Sequence, residues 1–219
     1  MPITAALFDF GGVILSSPFD AFARYEADRG LPEGFIRRVN ASDPDGNAWA
    51  QLERNQVSVK EFCEKFEAEA TAGGGTLDAR EVLALLSGEV RPAMVEAVRR
   101  CRERLKTALL TNNVVAMNTG STNTESTCGV DGGRAEHGEV LDLFDVVIES
   151  SRVGVRKPDP RFYAMACAEL SIEPSEAVFL DDLGVNLKPA RALGMATIKV
   201  TDPERAITEL EAVVGFPLR

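Results

Sequence analysis

Histidine, basic charge and long apolar runs are all scarce in this sequence, and each shortage removes a class of function. One histidine, His137, occurs in 219 residues. It sits in the polar stretch Gly133-Arg134-Ala135-Glu136-His137-Gly138 with no serine or cysteine nucleophile motif beside it. It reads as a solvated loop residue, which leaves a Ser-His-Asp hydrolase little support. The four cysteines, Cys63, Cys101, Cys128 and Cys167, contain no C-x-x-C pair, and three lie in helical patterns. They read as small core residues or reduced thiols rather than a zinc site or a disulfide framework. No apolar run approaches a membrane span, and Pro2–Asp9 lacks the basic start and long apolar stretch of a signal peptide, so a cytoplasmic protein with no membrane partner is expected. Lysine and arginine total 24 against 34 acids, a formal charge of −10. That balance argues against nucleic acid as a partner, because phosphate backbones need a basic face. A small anionic substrate can still be accommodated where local cations reverse the field.

The remaining composition, 45% apolar and 26% charged, is that of an ordinary globular protein long enough for a core and a second small module. Residues 4–9 read as a buried strand, and Gly11 and Gly12 permit a tight turn after it. Further apolar runs recur at Thr107–Leu110, Phe144–Ile148, Ala177–Leu180 and Ala196–Val200. Helical patterns lie between them, with one apolar face made by Val90, Met94, Val95, Val98 and Cys101 and another by Phe162, Met165, Ala166 and Leu170. Asp159-Pro160 and Asp202-Pro203 supply N-caps followed by proline at the first helical position. Strand and helix thus alternate from residue 90 onward. The pattern predicts an α/β fold: a Rossmann-like, doubly wound, mostly parallel sheet with helices on both faces. Residues 18–88 carry helical patterns only and are flanked by Ser16-Ser17-Pro18 and Ser87-Gly88. They predict a helical cap inserted in a core domain of residues 1–17 and 89–219. Residues 118–138 are polar and glycine-rich without periodicity, and are expected to form a mobile surface loop.

Polar residues directly follow three of the strand-like runs: Asp9 after Phe8, Thr111-Asn112 after Leu110, and Asp181-Asp182 after Leu180. In an open α/β sheet the carboxyl ends of the strands converge on one crevice, so these side chains should meet although they are far apart in sequence. Val155-Arg156-Lys157-Pro158 adds a cation. Carboxylates, a hydroxyl, an amide and a lysine around one crevice make a site for Mg²⁺ and a phosphoryl group, with one carboxylate free to act as nucleophile.

Asp9-x-Gly11-Gly12-Val13, Thr111-Asn112, Lys157-Pro158 and Asp181-Asp182-x-Gly184-x-Asn186, in this order, resemble the four-motif series of the haloacid-dehalogenase-like hydrolase superfamily. The run Phe179–Arg191 is similar to the amino-terminal phosphatase domain of soluble epoxide hydrolase. The resemblance covers essentially the whole chain. It implies a Mg²⁺-dependent phosphatase acting on small phosphorylated substrates. Asp9 would attack phosphorus and form an aspartyl-phosphate, while Asp9, the Gly11 carbonyl and Asp182 hold Mg²⁺. Thr111 and the backbone at Asn112 would bind phosphoryl oxygens. Lys157 would balance charge on Asp9 and phosphate, with Asp181 and Asn186 behind it. One departure stands out. Most phosphatases of the superfamily carry a second aspartate two residues after the nucleophile, where this chain has Gly11, and a general acid–base residue contributes about 10² to 10⁴-fold. Three alternatives follow: a haloacid dehalogenase, a phosphonatase with Lys60 or Lys65 as its Schiff-base lysine, and a non-catalytic phosphate-binding protein.

Overall fold

A computed structural model describes residues 2–113 and 133–219. Five parallel strands form the centre: β1 (Ala5–Phe8), β2 (Lys106–Thr111), β3 (Val146–Glu149), β4 (Ala177–Asp181) and β5 (Ala196–Lys199). Their order is β3-β2-β1-β4-β5, so the strand that comes first in sequence lies in the middle of the sheet. Alternation along each strand fills both faces. Ala6, Phe8, Leu109, Val178, Leu180 and Ile198 point into one buried layer. Ala5, Leu7, Ala108, Leu110, Ala177 and Phe179 point into the other. Helices α6 (Pro92–Arg102) and α11 (Pro203–Val214) cover the first face through Met94, Val98, Ile207 and Leu210. Helices α9 (Pro160–Leu170) and α10 (Gly184–Ala192) cover the second through Phe162, Ala166, Leu187 and Ala190. Asp159 and Asp202 cap α9 and α11 as their spacing before proline predicts, each accepting a hydrogen bond from a backbone N–H of the first turn.

Five helices lie between β1 and α6: α1 (Phe19–Asp28), α2 (Phe35–Ser42), α3 (Ala48–Glu53), α4 (Val59–Ala72) and α5 (Ala79–Ala84). Their apolar faces form a separate cluster in which Trp49 packs edge-on against Phe62 and Phe66, with ring centroids 5.0 and 5.7 Å away. Ser58 and Glu61 close a reciprocal capping box at the start of α4. The segment departs from and returns to the sheet at adjacent points. Ser16 N donates to Glu89 O at 2.8 Å, and Leu15 bridges Val90 in antiparallel fashion.

The stretch expected to be a loop over 118–138 falls outside the described residues up to 132. Its end is corrected: Gly133–Leu141 form helix α7, with Val140 and Leu141 packed on the first core layer. His137 is corrected with it. It is buried rather than solvated, and its ring stands edge-on to Phe10 with centroids 5.5 Å apart. Cys63, Cys101 and Cys167 are buried, while Cys128 falls outside the described residues.

Candidate active site

Parallel register builds the centre of the site. Phe8 pairs with Leu109 on one side and Leu180 on the other, so Asp9 and Asp181 emerge at the same level from neighbouring strands. Asp9 N donates to Leu180 O at 2.9 Å and keeps that register one residue past the end of β1. A wide turn, Phe10–Ile14, follows. Gly12 adopts φ +79° there, and a Cβ at this position would collide with the Asp182 carboxylate. Gly11, by contrast, has φ −70° and open space around it.

Lys157 is 1% exposed and its ammonium is shared by two carboxylates, 2.7 Å from Asp9 Oδ1 and 2.8 Å from Asp181 Oδ2. Burial alone would lower its pKa, but Asp181 and Asp9 hold it above the ordinary lysine value, so it is charged. Asp9 Oδ1 also accepts from Phe10 N at 2.7 Å. Both contacts of Asp9 fall on Oδ1, so Oδ2 keeps lone pairs for chemistry. Asp181 is saturated: Oδ1 accepts from Leu183 N and Asn186 Nδ2, and Oδ2 from Lys157 and Asn186 Nδ2. Asn186 is itself fixed by its carbonyl, which accepts from Tyr163 Oη at 2.6 Å. Asp182 is different. It meets Ser17 Oγ only at 3.5 Å, and burial next to Asp181 pushes its pKa up to about 6.

These groups carry more negative than positive charge. Oxygens of Asp9, Asp181 and Asp182 lie within 4.8 Å of one another with Lys157 as the ammonium between them. Burial raises the pKa of Asp9 well above the usual carboxylate range despite Lys157, with Asp181 and Asp182 adding to the rise. A hard divalent cation is the natural complement of such an oxygen set, and the donor chemistry fits one.

Above the acids opens a cavity of about 590 Å³. Asp9, Gly11, Thr111, Asn112 and Asp182 line its floor, and Pro18, Phe19, Pro44, Trp49, Glu53 and Leu86 of the helical segment line its walls. Asp9, Gly11, Thr111, Asn112, Lys157, Asp181, Asp182 and Asn186 are therefore brought together, whereas Lys60 and Lys65 do not line the cavity: Lys60 is exposed beside Glu64, and Lys65 donates to Gln51 Oε1. Asn112 has its side chain engaged within the protein. Its side-chain amide brackets the backbone of Lys157, with Oδ1 accepting from Lys157 N at 2.9 Å and Nδ2 donating to Lys157 O at 3.1 Å. Only its backbone is left for a ligand. Sequence reasoning missed Ser17, His137 and Glu53. Glu53 lies 2.7 Å from Arg156 Nε, an ion pair by distance though not aligned as a hydrogen bond. No motif flags it, because it is an ordinary glutamate at the end of a short helix.

A family model for haloacid dehalogenase-like hydrolase matches residues 3–194. The chain is 37% identical over 220 residues to the acyl-CoA dehydrogenase family member 10 of Mus musculus, covering 98% of this chain and 19% of that protein. It is 33% identical over 231 residues to the bifunctional epoxide hydrolase 2 of Sus scrofa, covering 100% of this chain and 40% of that protein. It thus spans well under half the length of either. Phosphatase MT3486 of Mycobacterium tuberculosis (strain CDC 1551 / Oshkosh) is 30% identical over 204 residues, with 89% of this chain and 86% of the relative aligned. A crystal structure of a Bacteroides thetaiotaomicron HAD family enzyme, in complex with magnesium and inorganic phosphate, superposes with a TM-score of 0.55. It covers 90% of this chain and 93% of that one at 18% identity, a likeness of fold.

Proposed function

Because the chain belongs to the haloacid dehalogenase-like hydrolases, we propose that it is a Mg²⁺-dependent phosphatase of small phosphate monoesters, working through an aspartyl-phosphate on Asp9. The observation that carries this reading is the unequal treatment of three neighbouring carboxylates. Asp181 is saturated by hydrogen bonds, Asp9 is fixed through one oxygen, and Asp182 is left under-bonded. A site built only to stabilise the fold would pair all three. A site for halide displacement needs a single carboxylate and gains nothing from an excess of buried negative charge. The relative named as a phosphatase supports the same choice.

In this reading Asp9, Asp182 and the Gly11 carbonyl would hold Mg²⁺, and the bound ion would supply charge neutralisation to the nucleophile and the incoming phosphoryl group. Thr111 and the backbone N–H groups at Asn112 orient the phosphoryl oxygens. Lys157 holds the Asp9 carboxylate in one orientation and balances charge as phosphate approaches. An oxygen of Asp9 forms a bond to phosphorus while the bond from phosphorus to the ester oxygen breaks; that oxygen keeps the electron pair, departs as the alkoxide or phenolate and takes its proton from solvent. Water then attacks phosphorus and gives up a proton to solvent or to the phosphate oxygens, while the bond from phosphorus to the Asp9 oxygen breaks, releasing the carboxylate and inorganic phosphate. Gly11 offers no side-chain proton to the departing alcohol, so esters of acidic alcohols should turn over best. Residues 1–17 and 89–219 form the catalytic core in this account, and 18–88 acts as a cap that excludes water and selects the leaving group. The test is a panel of phosphate monoesters with Mg²⁺ or chelator, run on the wild type and on Asp9→Asn. Mg²⁺-dependent release of phosphate that vanishes in the variant is expected. Equal turnover in chelator, or in Asp9→Asn, would sink the mechanism.

A further inference from the structure

Lys157 sits in an irregular connection between α8 (Ser150–Val153) and α9, so no helix or strand holds its backbone. Asn112 brackets its peptide from the sheet. The residue before it, Arg156, is held by the helical segment: Nε lies 2.7 Å from Glu53 Oε2, and Nη1 donates to Pro44 O at 2.7 Å. Glu53 Oε2 also stands 3.4 Å from Asn112 Nδ2. One carboxylate from α3 therefore touches both groups that fix the backbone of the buried lysine. The side chains of Arg156 and Glu53 are only 19% and 17% exposed, so solvent screens this pair less than a surface pair. Helix stability does not account for Glu53, because an acid at the last residue of a helix opposes the helix dipole.

We propose that Glu53 is a positioning residue that, through Arg156 and Asn112, fastens α3 to the Arg156–Lys157 connection and thereby keeps Lys157 seated between Asp9 and Asp181. The helical segment is joined to the core covalently only near Ser16 and Glu89, and Glu53 with Pro44 makes a further, non-covalent attachment at the wall of the cavity. Placement of the lysine thus depends on where the segment lies. The site is complete with the segment in this position, and a ligand that props the segment open would loosen the charge balance around Asp9. Asp9 is the nucleophile of the reading above, on which the catalytic consequence rests; the attachment itself does not depend on that reading.

Two probes follow the two ends of this link without turnover. Trp49, the single tryptophan of the chain, lies on α3 one turn before Glu53 and is 8% exposed. Acrylamide quenching of its fluorescence reports α3 leaving the cavity. Acetic anhydride labelling of the metal-free protein, read by peptide mass spectrometry, reports exposure of Lys157, with the exposed Lys60 as internal reference. In Glu53→Ala and Arg156→Ala both signals should rise, with Lys157 labelled about tenfold faster, the effect of losing one partly buried ion pair. The exchange Glu53→Arg with Arg156→Glu should return both signals only in part, because it restores the ion pair but neither the acceptor for Asn112 Nδ2 nor the donor for Pro44 O. With p-nitrophenyl phosphate and Mg²⁺, Glu53→Ala should lower kcat as well as raise KM, since it disturbs the reacting centre and not binding alone. Unchanged quenching and labelling in both single variants would overturn the proposal. A rise in Trp49 quenching with Lys157 still protected would reduce Glu53 to a fastener of the segment and overturn its positioning role. Absence of turnover in wild type would refute the phosphatase reading and leave the labelling result to decide this one.

Discussion

Gly12 and Asp182 share one small volume: the φ of +79° at Gly12 turns its missing side chain toward the Asp182 carboxylate. The close approach lets the chain turn directly beneath the acid that is least satisfied by hydrogen bonds. Gly12→Ala therefore faces two penalties, a left-handed backbone that costs about 1–2 kcal/mol and a displaced carboxylate. We expect a folded protein with a lower urea midpoint and Mg²⁺ affinity reduced at least tenfold, measured by calorimetric titration. Unaltered affinity would show that the Asp182 oxygens are free to move without consequence.

Asp181 and Asp182 are adjacent in sequence and opposite in circumstance. Asp181 is fully buried with both oxygens occupied by Lys157, Asn186 and Leu183 N, whereas Asp182 meets only its own backbone N–H and the distant Ser17 hydroxyl. Asp182→Asn should weaken Mg²⁺ binding strongly with little effect on folding. Asp181→Asn should chiefly destabilise the protein, because it leaves the buried Lys157 with one partner fewer, a loss of about 3–5 kcal/mol for a broken buried pair. Parallel Mg²⁺ titrations and denaturant curves separate the two, and a larger affinity loss in Asp181→Asn would exchange the assignments.

The same asymmetry sets a pH dependence. Burial beside Asp181 raises the pKa of Asp182 to about 6, above its value in the unfolded chain. Between the two values the folded protein binds a proton that the unfolded chain has released, so this group's contribution is present at low pH and is lost as pH rises through about 6. It is worth at most about 3 kcal/mol before solvent screening is discounted. In chelator, the difference in stability between wild type and Asp182→Asn should therefore shift against the wild type from pH 4 to pH 7. Saturating Mg²⁺ should remove that shift. A flat difference in chelator would mean that Asp182 is solvated rather than buried beside an uncompensated neighbour.

Gly11 offers the complementary experiment. Its φ of −70° is open to any residue, and no atom would crowd an added Cβ. Gly11→Asp can thus supply a proton donor without backbone strain. For a series of aryl and alkyl phosphates, the wild type should show a steep dependence of rate on leaving-group pKa where chemistry limits, and the variant a shallower one. The gain should be largest for alkyl esters, toward about 10²-fold. A wild-type enzyme indifferent to the leaving group would point to another acid on the cavity wall.

Much of this arrangement was legible in the sequence, for reasons that can be named. Strands β1, β2 and β4 carry short buried apolar runs that end abruptly in Asp9, Thr111 and Asp181, and parallel pairing brings such ends together. Asp159 and Asp202 announced their helices because an acid before proline has few other uses. What stayed hidden depends on contacts between distant segments. Glu53 has no local signature, and its role appears only when α3 lies beside Arg156. The side chain of Asn112 looked like a ligand group but is taken up by the backbone of Lys157. His137 looked solvated because glycines and charges surround it in sequence, whereas the apolar Val140 and Leu141 later in the same helix carry it into the core.

The antiparallel bridge between Leu15 and Val90, with Ser16 N on Glu89 O, closes the long helical excursion at its base. Entry and exit lie side by side, so the strands set no length on what is carried between them, and the demands on its content are local: an acid and a carbonyl placed against Arg156. On the reading proposed above, a lineage can exchange the excursion for another of different size, and with it the range of molecules admitted, provided the replacement still meets Arg156. For a protein engineer the same pair of residues marks where a graft should begin and end.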